Sequence, residues 1–318
     1  LTTPFLSFQG KLRVLLEPFL PKGKDRKNES VADFISRRLG KEALDYLANP
    51  FLAGIYAAKP ETLCLRHTFP AIHDLEEKYR SLLLGKIFGS GKSDRLPKSR
   101  LISFPLGMGE LTDRMKAIIK GNFIFDHRVT KVAGENGKWR VFASGSNGSD
   151  WDDIFDEVIC TLPAHQLAKV SWQNVAQAEK ISTLQEASHF PLSVVYQGFE
   201  KNEVSHPLDG FGFLVPEAEN MDILGSLFSS TLFSGRAPPG KVLLTTFVGG
   251  ERDPELALRD EDFLCRKVTE QLKPLLGIKG PPVFQRAKTW REAIPLPDIG
   301  FEERKKATCT LQEANPGL

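Results

Sequence analysis

Apolar residues recur at three- and four-residue spacing through the first 88 positions, a period that predicts helices. Gly10 to Phe19 carries Leu12, Leu15, Leu16 and Phe19 on one face, with Lys11, Arg13 and Glu17 around it, and the pattern stops at Pro21. Ser30 is placed to cap a second helix with Asp33 at the reciprocal position; Val31, Phe34, Ile35 and Leu39 form its stripe, and Gly40 offers a left-handed stop. Lys41 to Leu47 predicts another helix ending at Asn49-Pro50, and His73 to Leu84 a further one that runs into a Gly- and Ser-rich loop at 85–93. From about residue 101 the texture changes. Leu111 to Ile119 still looks helical, but Asn122 to Val132, Trp139 to Ser144 and Phe155 to Leu162 alternate or run apolar like strands, and Ala164 to Val170 resumes a helix. Ser193 to Gln197, Gly212 to Val215, Ile223 to Phe228, Lys241 to Val248 and Val283 to Trp290 are strand candidates between Pro/Gly turns, with an amphipathic helix at Asp260 to Leu276. The class is α+β, with a helical N-terminal portion and two sheet-bearing portions.

A length of 318 residues suggests two domains or one large interrupted one. Lys plus Arg is 42 against 40 Asp plus Glu, a formal charge of +2, so no polyanion footprint is present and nucleic acid is not an expected partner. The 22 Phe against 4 Tyr and 4 Trp favour apolar ring surface over phenolic or indole hydrogen bonding. Cys64, Cys160, Cys265 and Cys309 are far apart with no C-x-x-C, which excludes a local zinc knuckle or thioredoxin motif and suits a reducing compartment. The sequons at Asn28 and Asn147 then carry no weight. No apolar run approaches the roughly 20 residues of a membrane-spanning helix. The start, Leu-Thr-Thr-Pro-Phe-Leu, has neither an initiator Met nor a signal-peptide layout, so a piece of a longer chain is expected.

Several chemistries lack their motif. Phe88-Gly89-Ser90-Gly91-Lys92-Ser93 falls short of a phosphate loop because Lys86 stands where the first glycine is needed. The histidines at 67, 73, 127, 165, 189 and 206 form no metal-binding pair, no Ser sits in G-x-S-x-G, and there is no G-x-G-x-x-G. More informative is Asp209 to Arg236, where Gly210, Gly212 and Gly225 sit among Phe213, Leu214, Phe228, Leu232 and Phe233. Two readings stay open for it: ordinary sheet core, or a flat apolar slot for a large planar or near-planar ligand.

That segment, followed by Arg236-Ala237-Pro238 and Leu243-Leu244-Thr245-Thr246-Phe247-Val248-Gly249-Gly250, resembles the FAD-dependent, oxygen-linked protoporphyrinogen/coproporphyrinogen oxidases of haem and chlorophyll synthesis. The resemblance covers nearly the whole chain. It takes in Gly10-Lys11-Leu12-Arg13 with Glu17-Pro18-Phe19, Glu29-Ser30-Val31-Ala32-Asp33-Phe34 with Arg37-Arg38-Leu39-Gly40, and Pro50-Phe51 with Gly54-Ile55-Tyr56-Ala57. Phe69-Pro70, Leu75-Glu76, Gly107-Met108 with Glu110-Leu111, Thr161-Leu162-Pro163-Ala164, and Trp290 with Ala293-Ile294-Pro295 complete the series.

The resemblance implies a flavin amine-oxidase-like fold interleaved along the chain. Residues 1–88 would be a helical membrane-binding domain, 89–103 a linker, and 104–172 the central part of the FAD-binding domain. Residues 173–295 would be the substrate-binding domain, and 296–318 the start of a truncated C-terminal FAD segment that stops where its strand would begin. The activity implied is oxidation of protoporphyrinogen IX to protoporphyrin IX by hydride transfer from methylene bridges to the FAD, with O2 as reoxidant. Coproporphyrinogen III is the alternative substrate, and a non-catalytic tetrapyrrole- or partner-binding fragment is the alternative of another class. By position Phe233 would stack on a pyrrole ring, Leu214 and Val204 would sandwich another, and the backbone at Gly54 would face the substrate; Val129 would meet the adenine end of FAD. Core packing is the competing reading for each side chain.

The family's Rossmann glycines, its acidic ribose-binding residue and a propionate-anchoring arginine would precede residue 1, so tight FAD binding by this chain alone is not expected. Ala58-Lys59 stands where Gly-Asp is usual, Leu106 replaces a glycine, and Leu296-Pro297 with Phe301 replaces a Gln-aromatic…His pattern. Lys59 is a candidate carboxylate-binding charge in place of the lost Asp. Peripheral attachment to the cytoplasmic face of a bacterial cell membrane is implied, through Leu6, Phe8, Leu12, Phe19 and Leu20 beside the basic loop at 22–27, and a homodimer is possible.

Overall fold

The computed structural model describes residues 4–23, 28–89 and 102–318, so residues 24–27 of the basic loop and 90–93 of the Gly/Ser loop lie outside the described residues. The chain forms two compact units, Leu1–Leu111 with His189–Ile299 and Thr112–Ser188 with Gly300–Leu318. The helical part and residues 189–295 of the predicted substrate part thus fall in one unit, and the strands of the predicted FAD part with residues 173–188 and the C-terminal tail in the other.

Local signals set most helix boundaries. In α1 (Phe8–Leu15) the hydroxyl of Ser7 accepts the N–H of Gly10. In α2 (Val31–Arg38) Ser30 Oγ accepts from Asp33 N at 3.0 Å and donates to the Asp33 carboxylate at 2.8 Å, so the expected cap forms. After α3 (Lys41–Ala43) the expected stop at Asn49-Pro50 does not occur. A π-helical turn over Leu44–Ala48 leads into α4 (Asn49–Tyr56). Proline sits in the first turn of α4, where its fixed φ suits the helix and its missing N–H costs little. The single helix expected at 73–84 is also divided. After α5 (Leu65–Thr68), α6 (Pro70–Tyr79) ends with Arg80 at φ 59°, and Ser81 caps α7 (Leu82–Phe88) by accepting from Leu84 N. Next comes α8 (Gly109–Ile118).

In the second unit β1 (His127–Glu135) and β2 (Lys138–Gly145) form a hairpin closed by Asn136 and Gly137 at φ 52° and 78°, the left-handed pair that matches strand twist. The third strand, β3 (Asp150–Phe155), precedes the expected one at 155–162. Its carboxylates are tolerated because the partner strand answers them: Arg140 Nε donates to Asp152 at 2.8 Å across the ladder. The apolar run after Phe155 joins no strand; Val158 N donates instead to Gly317 O at 2.7 Å. The helix expected at 164–170 is a single turn, α9 (Ala164–Leu167), before β4 (Ser171–Gln173) and α10 (Lys180–Gln185). The sheet order is β3-β2-β1-β4, parallel only between β1 and β4.

The five-stranded sheet of the first unit is antiparallel and ordered β6-β7-β8-β5-β9, from β5 (Leu192–Glu200), β6 (Gly212–Leu214), β7 (Ile223–Leu227), β8 (Lys241–Gly249) and β9 (Phe284–Trp290). Short helices α11 (Ser229–Leu232) and α12 (Pro254–Ala257) flank β8. Against this sheet lies α13 (Glu261–Leu276), capped by Asp260, which accepts from Phe263 N, and ended by Gly277 in the left-handed region. Its Leu264, Val268, Leu272 and Leu276, spaced by four, join Val195, Phe199, Leu244 and Val248 in one buried cluster. The tail forms a helix, α14 (Phe301–Ala314), that the polar run there does not advertise.

The helical part is held by buried charge. Arg38 and Glu17 have no exposed side-chain surface and Glu76 has 1%, with Arg38 3.4 Å from Glu17 and 2.7 Å from Glu76. Arg37 bridges Glu29 and Glu76 at 2.8 Å each. Removing the Arg38 cation takes the ion-pair partner from the fully buried Glu17 and leaves Glu76 to Arg37. Arg38→Ala is therefore expected to lower unfolding free energy by about 3–5 kcal/mol, read as a fall in the urea midpoint at constant slope. A change under about 1 kcal/mol, the range of exposed pairs, would contradict this account.

Candidate functional site

In the first unit, β6 carries Leu214 to the surface, where 43% of it is exposed. Helix α4 approaches it at Gly54: a Cβ there would lie 2.5 Å from Leu214 Cδ2, so this separation requires glycine or a moved leucine. On either side of Gly54 along α4, Phe51 and Ile55 are exposed, and Phe51 stacks on Phe69 with centroids 6.3 Å apart. The sequence-predicted pair Gly54 and Leu214 is thus brought into contact.

A polar network pins α4 in this place. Asn49 Nδ2 donates to Glu217 at 3.1 Å, while Asn49 Oδ1 accepts from Glu217 N and from Arg252 Nη2, both at 3.1 Å. Lys59 Nζ pairs with Glu217 at 2.9 Å, Lys59 N donates to Glu251 at 2.7 Å, and Thr62 Oγ1 also donates to Glu251. Gly250, at φ 64°, permits the close turn, since a Cβ there would stand 2.2 Å from Ala57 O. The hydrogen bond to Glu217 raises the Lys59 pKa. Burial would raise that of Glu217, but Lys59 and Asn49 outweigh it and the net shift is downward. The pair therefore stabilises the fold above the ordinary carboxylate range and below the ordinary lysine range, and weakens as pH leaves either edge. Lys59, expected as a free carboxylate-binding charge, is already committed to Glu217.

Phe233 closes α11 and is half-buried. The Arg236 guanidinium stands 5.9 Å from its ring centroid, and Arg236 Nη2 donates to Ser103 Oγ at 2.7 Å and to Phe104 O at 2.8 Å. This ties residues 103–104, shortly before exposed Met108, to the Phe233 loop. Val204 is placed differently from the expectation. It is 8% exposed, bridges Ile278 and belongs to the buried cluster under α13, so it does not join Leu214 on the surface. Its main role is core packing, although it also borders a polar cavity of about 390 Å³ with Ser230 and Gly235.

Val129 lies in the second unit, half-buried on β1 beside a bulge at Thr130, where the register with β2 shifts. The same unit has an apolar cavity of about 510 Å³ lined by Val158, Ile159, Leu167, Trp172, Ile181 and Leu311, which none of the predicted residues enters. A dinucleotide needs a glycine-rich turn that aims a helix N-terminus at its pyrophosphate. The sequence has no G-x-G-x-x-G, and the sheet around Val129 is three antiparallel strands with one short parallel one. The residues present therefore do not fit a whole FAD; Val129 could touch only one end of it. The Asn49–Glu217–Arg252 network and the Arg236 tether had no signal in the sequence, because their partners are scattered along it.

Residues 2–301 match the model of the flavin containing amine oxidoreductases. The chain belongs to that family. It is 34% identical over 345 residues to protoporphyrinogen oxidase 2, chloroplastic/mitochondrial, of Arabidopsis thaliana, covering all of this chain and 68% of that protein. It is 28% identical over 324 residues to the coproporphyrinogen III oxidase of Bacillus subtilis, covering all of this chain and 67% of the relative. The crystal structure of a candidate protoporphyrinogen oxidase from Exiguobacterium sp. 255-15 superposes with a TM-score of 0.77 at 20% identity, over 99% of this chain and 67% of that one. The family's flavin identifies the chain as part of an FAD-dependent oxidoreductase, and the fold is flavin amine-oxidase-like.

The contact at Gly54 makes a testable point. The atom a new Cβ would meet is the tip of a flexible, exposed leucine, and alanine favours a helix interior over glycine by about 1 kcal/mol. Gly54→Ala is expected to leave thermal stability unchanged or slightly raised while shifting the Leu214 methyl resonances in a carbon–proton correlation spectrum. Unmoved methyls would show that the two residues do not touch in solution.

Proposed function

We propose that this chain forms the substrate-enclosing part of an oxidase that converts protoporphyrinogen IX to protoporphyrin IX, with coproporphyrinogen III as the alternative substrate and O2 as the oxidant. The observations that carry the reading are the exposed Leu214 resting on Gly54 and the half-buried ring of Phe233. Relatives bearing the names of both oxidases support it. The flavin supplies the redox chemistry when bound; the side chains here hold ring faces, orient the macrocycle and keep water from it. No acid or base is required of them.

We also propose peripheral attachment to the inner face of a cell membrane. Phe8 and Phe19 are 80% and 83% exposed, with Phe5 and Leu12 exposed nearby. Among the described residues no helix is long and apolar enough to span a bilayer. Lys22 offers less charge than expected, because it pairs with Glu77 at 2.7 Å. A homodimer remains part of the proposal.

In the full-length flavoprotein, Phe233→Ala is expected to lower kcat/KM for porphyrinogen by about two- to tenfold, the range of a lost ring stack, with flavin content intact. Unchanged kinetics would reject the stacking role, and the ratio of rates on substrates with two and four propionates would settle the preferred one. For the membrane, Phe8→Glu with Phe19→Glu is expected to release the chain from anionic vesicles in co-sedimentation. Equal sedimentation of wild type and variant would exclude α1 as the anchor.

A further inference from the structure

Arg236 differs from the enclosed arginines of the helical part. Arg37 and Arg38 each rest on carboxylates, whereas half-buried Arg236 meets none among the described residues. Its partners are a hydroxyl, a backbone carbonyl and the face of Phe233. Both hydrogen bonds come from Nη2. The other terminal nitrogen, Nη1, lies 3.9 Å from where a Cβ on Gly107 would stand, so the glycine puts no side chain against it. A guanidinium carries five donors, and withdrawing it partly from water without a counter-charge is costly unless an anion arrives.

We propose that Arg236 receives a carboxylate of the ligand that stacks on Phe233. The inference rests on the porphyrinogen reading and deepens it by naming the group that orients the macrocycle. Ser103 and Phe104 hold one edge of the guanidinium fork, so the remaining donors are presented in a fixed direction beside the ring, and little freedom is lost when an acid side arm binds. Lys59 cannot take this role while paired with Glu217. Arg236 is thus a specificity-determining residue: Phe233 accepts any flat face, and the cation next to it selects faces that bear an acid.

The test uses the chain itself, titrated with protoporphyrin IX and with its dimethyl ester and followed by quenching of tryptophan fluorescence. Wild type is expected to bind the diacid about tenfold or more tightly than the ester, the range of a hydrogen bond to a charged group. Arg236→Gln is expected to abolish that preference and leave ester affinity unchanged. Ser103→Ala, which loosens the tether but keeps the charge, is expected to retain most of it. Arg236→Lys serves if circular dichroism shows the Gln variant unfolded, and is expected to keep a reduced preference. A preference equal to wild type in the Arg236 variant would make the residue a clamp for 103–104 and overturn the proposal. Equal affinity of wild type for diacid and ester would overturn it too, while leaving the porphyrin reading standing. Failure to bind either compound would overturn both.

Discussion

The carboxamide of Asn49 holds three groups at once, Glu217 N, the Glu217 carboxylate and Arg252, and through it α4 is fixed against the edge of the five-stranded sheet. The features proposed for ligand binding on α4 follow from that junction. Gly54 meets Leu214 because α4 cannot slide, and Phe51 and Ile55 face outward because the helix cannot rotate. Apolar contact alone would not define this register, since hydrophobic attraction is non-directional. The polar bonds supply direction, and burial of Ala53, Ala57 and Leu224 beside them supplies cohesion. Burial lowers the pKa of Arg252, with Glu217 opposing that shift, so the junction carries an internal electrostatic balance.

The sequence made local structure legible wherever a local cause existed. The Ser30–Asp33 cap and the amphipathic helix α13 each follow from neighbouring residues, and each forms. Errors arose where a distant partner overrode the local signal. Pro50 reads as a stop, but the wide π turn before it delivers it into the first turn of a new helix. No strand is read over Asp150–Phe155, yet Arg140, diagonal to Asp152 across the ladder, answers its carboxylate within β3. Phe155 to Leu162 reads as a strand, yet β3 ends at Phe155 and no strand accepts the rest among the described residues. The Asn49–Glu217 and Asn49–Arg252 bonds span 168 and 203 positions, separations at which no periodicity or motif carries information.

For the candidate site the division is similar. The glycine-and-phenylalanine texture of 209–236 is visible in the sequence, and it leaves core and ligand slot as competing readings. Only coordinates separate Val204, which is buried, from Leu214, which is not. The tether of Arg236 to 103–104 spans more than 130 positions, so the arginine's want of a carboxylate becomes apparent only when the fold shows what stands around it.

Under the proposed function the mixture of one charge with largely apolar surface has a physical rationale. A porphyrinogen changes from a puckered to a flat ring as its bridges are oxidised, while its acid side arms keep their chemistry. Hydrogen bonds to the ring itself would be aimed correctly at one stage and misaligned at the next, and misaligned bonds in a water-poor site are costly. Methyl and phenyl surfaces such as Leu214 and Phe233 tolerate the change in shape because their attraction depends on area rather than angle. Directional recognition then belongs at the periphery, on a group whose geometry does not change during the reaction. A rigid guanidinium at the rim of an apolar face satisfies that requirement, and the same logic explains why Lys59, drawn into the α4 junction, serves the scaffold instead of the ligand.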